Sequence, residues 1–270
     1  MSSRRTLLGA FGAGLAATAV PGIAHARTAR PRSTDVLIDS SSFAGYPAFE
    51  STWNYLYPWG SDHNGSARMV GSSTDHSHIY LSGNSLVLKA TRIYDDEGNS
   101  SSSPYLKIRY HSGTVHAKQQ VLVNDDYPVW ELRGEFQAPS GVGQWPAFWA
   151  TGVNSWPPET DILEYKGTAQ NWFNTYKNAS GGWSNTIVPV SNPAAWHTYR
   201  AVVSKASSTD VTIKYYLDGS LKGTHTGANF VDQPMWIIID LQMEGSSGSP
   251  GPDTDTYFLV RNPYVARSTG

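Results

Sequence analysis

Cysteine is absent from the 270 residues, which excludes disulfides and thiolate metal sites. Charge is scarce as well. Only 16% of residues are charged and the formal balance is −2 at pH 7; no basic patch stands out, so nucleic acid is not an expected partner. Beyond the N-terminal segment no run is apolar enough to cross a membrane, and none keeps a helical period for more than a turn or two. Turn formers and aromatics are plentiful instead. There are 25 Gly and 16 Pro, and the 10 Trp and 15 Tyr exceed what one core of this size needs, so some are expected on a binding face. Hydrophobic residues, at 39%, suffice for one sizeable core, and all-β chains of this length run as single domains.

The first residues carry an export pattern. Ser3-Arg4-Arg5-Thr6-Leu7-Leu8 is a twin-arginine motif, followed by an uncharged apolar run over 7–20 and by Ala24-His25-Ala26, a small-x-small cleavage pattern. The run falls short of the roughly 20 residues that a membrane span requires. The expectation is a removed signal peptide at 1–26, a short basic linker at 27–34 and one domain at 35–270. The mature chain is then secreted to the extracellular space, monomeric, and without a membrane partner.

From Asp35 onward, short strand-like runs alternate with turn residues, the pattern of an all-β sandwich. Strands are expected at 85–90, 130–136, 198–203, 211–217 and 235–239, the last buried on both faces and ending at Asp240. The stretches 95–104 and 245–255 read as loops.

The most informative stretch is Trp156-Pro157-Pro158-Glu159-Thr160-Asp161-Ile162-Leu163-Glu164-Tyr165. Alternate side chains of a strand share a face, so Glu159 and Asp161 point one way and Glu164 the other. A one-residue bulge near Ile162-Leu163 returns Glu164 to the acidic face and sends both apolar residues inward. With the bulge, the two glutamates can bring their carboxyls to about 5–5.5 Å, the separation a retaining glycosidase uses. Crowded carboxylates cannot all ionise, so one pKa is pushed up. The resting proton is expected on Glu164, with Asp161 hydrogen-bonded to Glu159. An ordinary solvated acidic face is the bland alternative, but Ile162, Leu163 and Tyr165 mark a packed strand, where like charges cost stability.

These residues resemble glycoside hydrolase family 16, the laminarinase and agarase group of β-jelly rolls. Gly143-Gln144-Trp145-Pro146-Ala147-Phe148-Trp149 is similar to the family's Trp-Pro-Ala-Phe-Trp strand, and Glu159, Asp161 and Glu164 to its bulged motif. Trp196-His197-Thr198-Tyr199 with Tyr216-Leu217-Asp218-Gly219, and the pairs Asn64-Gly65 and Ser112-Gly113, fall in the family's order. The resemblance implies an all-β jelly-roll sandwich of two curved antiparallel sheets with a glycan across the concave face. It also implies Glu159 as nucleophile, Glu164 as general acid/base, Asp161 as their assistant, a polysaccharide as partner and no cofactor.

Departures from the family bear on substrate. Phe173-Asn174-Thr175-Tyr176-Lys177 places Tyr176 or Lys177 where laminarinases carry a His, and Ile239-Asp240-Leu241-Gln242-Met243-Glu244-Gly245 replaces a blander strand. By alternation Asp240, Gln242 and Glu244 share one face. A β-1,3-galactan or another galactose-containing glycan such as agarose therefore competes with β-1,3-glucan. The Asp that often ties a calcium in the family's last strand is replaced around Arg261, so no metal is expected. Trp145 and Trp149, four residues apart, share a face and are candidate stacking platforms; Asn64 is a further cleft candidate. Trp172 and Trp183 lie in Asn- and Gly-rich sequence that reads as loop, where aromatics serve binding. Glu131 and Glu135 are assigned to a solvated convex face, and Asp75-His76-Ser77-His78 to a polar loop. A lectin-like binder has no use for three aligned carboxylates, and an acidic face would repel the uronate of a lyase substrate. A transglycosylase would share every catalytic residue.

Overall fold

The structure, a computed structural model, describes residues 33–176 and 181–269. The expected signal peptide, most of the expected linker and Lys177 lie outside these residues. Strand formation begins at Thr34, the last position assigned to that linker.

The strands, in chain order, are β1 (Thr34–Ile38), β2 (Trp53–Tyr55), β3 (Ala67–Met69), β4 (Ile79–Ser82), β5 (Ser85–Arg92), β6 (Tyr110–Ser112), β7 (Thr114–Ala117), β8 (Val129–Gln137) and β9 (Gln144–Gly152). They continue as β10 (Glu159–Glu164), β11 (Gln170–Tyr176), β12 (Trp183–Pro189), β13 (His197–Lys205), β14 (Val211–Leu217), β15 (Ser220–Gly227), β16 (Met235–Met243) and β17 (Thr256–Ser268). One α-helix, Tyr46–Thr52, joins two short 3-10 turns as the helical content of the described residues.

Two sheets face each other as a jelly-roll β-sandwich. The larger runs β15-β14-β13-β8-β17-β5-β6-β3, with β1 on β17 and β4 on β5. The smaller, the site sheet, runs β12-β11-β10-β9-β16-β7-β2, with every pairing antiparallel. Between them lies an apolar layer: Phe148 of the site sheet meets Phe136 at 5.1 Å, and Phe173 meets Tyr215 at 5.1 Å. Polar contacts also cross the layer, where Thr160 meets the Tyr215 hydroxyl and Tyr165 meets that of Tyr199. Each fully buried aliphatic or aromatic side chain in such a layer stabilises the fold by about 1.5–3 kcal/mol.

The strands expected at 85–90, 130–136, 198–203 and 211–217 form with at most two further residues at an end. Two readings need correction. The run from 235 continues past Asp240 to Met243, because Asp240 and Gln242 point to the polar outer face and find partners there. Trp172 and Trp183 lie on strands β11 and β12 instead of loops; on β11, Asn171 and Asn174 are buried and bonded to β10. Glu131 and Glu135 pair with Arg200 and Arg261 on the larger sheet.

Candidate active site

Strand β10 carries the acids. Its register against β9 pairs Glu159 with Thr151, Asp161 with Trp149 and Glu164 with Ala147, slipping by one residue between Asp161 and Leu163. That slip is the bulge required by the apolar pair: Ile162 and Leu163 are both fully buried, and all three acids share the outer face. They line one small pocket of about 60 Å³ together with His63, Asn64, Trp145, Trp149 and Asp240.

Each carboxylate has built-in partners. Glu164 accepts from the Trp145 indole N–H at 2.8 Å, from Asn174 Nδ2 at 2.6 Å and from the Lys166 ammonium at 2.9 Å. Asn174 Nδ2 also donates to Asp161 at 2.9 Å, so one amide ties two acids. Glu159 accepts on Oε2 from the Trp156 indole at 2.8 Å and from Thr151 Oγ1 at 3.3 Å. Asp161 is therefore held by Asn174 of β11, where a bond to Glu159 was expected.

Burial acts strongly on two of the acids. Burial, reinforced by the Glu164 charge and opposed by the Trp156 N–H, pushes Glu159 up to about 7. Burial and the charges of Glu164 and Glu159 hold Asp161 well above the usual carboxylate range. The raised affinities thus belong to Glu159 and Asp161, while the three donors at Glu164 occupy both of its oxygens. On the adjoining strand β16, Asp240 accepts from Trp149 Nε1 at 2.7 Å and from the Tyr57 hydroxyl at 2.9 Å, and burial pushes it up to about 7. His63 stacks on Trp149 with ring centroids 5.8 Å apart, and burial lowers its pKa to about 4, leaving a neutral imidazole at pH 7.

Grooves lead away on both sides. On the Glu159 side lies one of about 840 Å³ lined by Trp59, Trp149, Trp156 and Trp183. On the Trp145 side lies one of about 400 Å³ bounded by Lys107, Arg109, Glu244 and 245–249 residues Gly245, Ser246, Gly248 and Ser249. Asn64 borders both.

Known structures share this architecture. A non-specific endo-β-1,3(4)-glucanase of family 16 superposes with a TM-score of 0.66 at 16% identity, over 86% of this chain and 91% of that one. The laminarinase catalytic domain from Thermotoga maritima gives a TM-score of 0.62 at 18% identity, over 88% and 98%; at these identities the likeness is one of fold. No family model matches the chain. A galactan endo-β-1,3-galactanase of Flammulina velutipes is 43% identical over 234 residues, 86% of this chain and 90% of that protein. The chain belongs to glycoside hydrolase family 16.

Within this family 16 hydrolase, the cleft candidates divide by what they touch. Trp145, Trp149 and Asn64 line the pocket that holds the acids. Gln242 lines it too, but its amide is bound to the Ala67 backbone, accepting from the N–H at 2.8 Å. It packs where a side chain at residue 65 would sit: a Cβ on Gly65 would come 2.3 Å from its Oε1, which explains the Asn-Gly pair. Glu244 accepts from Gly251 N and Ser249 Oγ and shapes the wall of the smaller groove. Trp172 lies under the Lys166 ammonium, 4.7 Å from the ring centroid, and Tyr176 packs on Trp156 at 4.2 Å. Lys177 lies outside the described residues. Sequence reasoning did not assign Trp156, Lys166, Asn174 or His63 to the site. Trp156 and Lys166 flank the acidic strand and could have been found by asking what neutralises it; His63 and Asn174 arrive from elsewhere through tertiary contacts. His76 and His78 bind Tyr55 and the Lys89 carbonyl, and Trp53 is core.

Proposed function

We propose that the chain is an exported endo-β-1,3-galactanase that cleaves its glycan with retention, Glu159 attacking the anomeric carbon and Glu164 serving as acid and then base. The observation that carries this reading is the bulge of β10, which sets Glu159, Asp161 and Glu164 on one face beneath a groove. In the first step the proton shared among the crowded carboxylates moves to Glu164 as Glu159 ionises, and Glu164 passes it to the glycosidic oxygen while Glu159 forms an ester with the sugar; in the second, Glu164 takes a proton from water, which displaces Glu159. Asp161, tied through Asn174 and pushed toward its protonated form by burial and the neighbouring acids, eases the crowding of negative charge in the pocket. Trp145 presents Glu164 toward the leaving sugar. Grooves on either side of the acids suit attack inside a chain.

The galactan assignment rests on the 43% identical relative named a galactan endo-β-1,3-galactanase. The N-terminal twin-arginine pattern supports export of the chain already folded, which suits a sandwich of non-local strand pairs, and the reading treats the mature chain as a monomer. Its test is a product screen with the purified chain on β-1,3-galactan, laminarin, agarose and mixed-linkage glucan. A ladder of galacto-oligosaccharides, with slower or no release from the other three, is expected. Faster cleavage of laminarin would overturn the galactan assignment, and inactivity on all four the enzyme reading as drawn.

A further inference from the structure

Trp156 combines two properties that packing alone does not explain. Its side chain is 54% exposed, yet its indole N–H is directed inward onto Glu159 Oε2 at 2.8 Å. Thr151 takes the same oxygen, which leaves Oε1 for attack. One face of the indole rests on Tyr176, centroids 4.2 Å apart. Tyr176 in turn meets Trp183 edge-on at 5.1 Å, and Trp183 is 44% exposed. The three rings form a continuous rim beside the larger groove, which both tryptophans line. Exposed apolar rings arranged in this way suit the C–H faces of pyranose rings.

We propose that Trp156 is the positioning residue of the nucleophile and the inner member of a sugar-stacking platform with Tyr176 and Trp183, so that one indole sets both the seated sugar and the attacking carboxylate. The inference rests on Glu159 being the nucleophile, as argued above, but not on the identity of the glycan. Substrate units bound along the rim are then seated against the same indole that fixes Glu159; the outer ring contributes binding alone, and the Trp156 N–H is the contact worth more in the transition state than at rest.

The groups facing Glu159 are Asp161 and Glu164 on its own strand, Lys166 just beyond it, His63 from the loop before β3, and Asp240 from β16. Burial raises the Glu159 pKa and the Trp156 N–H opposes that rise. Removing the N–H alone must therefore move the ionisation of Glu159 to higher pH, an effect that a merely structural ring would not have.

The test compares wild type, Trp156→Phe, Trp156→His and Trp183→Ala on oligosaccharides of increasing length from whichever glycan the wild type cleaves fastest, so that an error in the substrate assignment does not touch it. Trp156→Phe keeps a ring and loses the donor: kcat should fall about tenfold, KM should stay within about twofold, and the acid limb of kcat/KM should move to higher pH. Trp156→His restores an N–H and should recover part of kcat. Trp183→Ala should raise KM severalfold for the longer chains and leave kcat and the acid limb in place. The inference is overturned if Trp156→Phe, with unchanged circular dichroism, keeps kcat within about twofold of wild type, or loses kcat with no movement of the acid limb. A fully active Glu159→Gln control would instead remove the reading on which it rests.

Discussion

Asn174 illustrates how much of this site depends on single polar atoms. Its Nδ2 spends both hydrogens on acids, Asp161 and Glu164, while its Oδ1 finds no partner among the described residues. Asn174→Ala should therefore lower kcat/KM by about 10–100-fold through loss of a pre-set donor, with little change in melting temperature; steady-state kinetics and a melting curve on the same preparation check both halves. Asp240 offers a second test. Burial pushes it up to about 7 in the folded chain, against about 4 for an unburied Asp. Between those values the folded state binds more protons than the unfolded state, so the stability tied to this carboxyl is intact below about pH 4 and is lost as pH rises through about 7. Asp240→Asn keeps the contacts to Trp149 and Tyr57, because the tyrosine hydroxyl can turn to accept. It should raise the melting temperature over wild type at pH 8 and leave it unchanged at pH 4; calorimetry showing no gain at pH 8 would contradict the buried charge. The acids themselves were legible in the sequence because parity along a strand is a local rule. Asn174 and His63 were not, because what makes them functional is the residue they meet across the sheet or from a loop.

At the scale of the element, the bulge of β10 couples stability to chemistry. Ile162 and Leu163 are consecutive and both fully buried, which a regular strand cannot achieve on one face. The interior thereby pins the register that brings Glu164 back beside Asp161. Ile162→Ala should cost about 2–4 kcal/mol of unfolding free energy, measured by urea denaturation; a cost near zero would mean that the bulge is not anchored by its apolar pair. The bulge could be inferred from the pattern since every other arrangement buried an acid or exposed a leucine. Strands β11 and β12 could not. On β11, Asn171 and Asn174 read as turn formers, but Asn171 Oδ1 accepts the Glu164 backbone N–H at 3.0 Å and Asn174 serves the carboxylates. An asparagine that has found a buried partner no longer signals a turn. Periodicity alone stopped the strand at Asp240, while the family resemblance carried it on through 241–243, where β16 does run.

Over the whole molecule, the larger sheet supplies the apolar partner and the site sheet leaves one face free for a long groove. That groove is asymmetric: indoles dominate on the Glu159 side, whereas Lys107, Arg109 and Glu244 mark the other. The β-sandwich was readable from turn spacing and strand periodicity alone, but the walls come from loops that converge only on folding. Ser103 borders both grooves, and nothing in 95–104 as a sequence points to the active site. Trapping tests whether Glu159 forms a covalent bond to the sugar. A 2-deoxy-2-fluoro β-1,3-galactobiosyl fluoride should inactivate the protein with one equivalent of added glycosyl mass, located by peptide mapping on Glu159 and absent from Glu159→Gln. Labelling of Asp161 or Glu164, or turnover to a product of inverted anomeric configuration with no adduct, would contradict it.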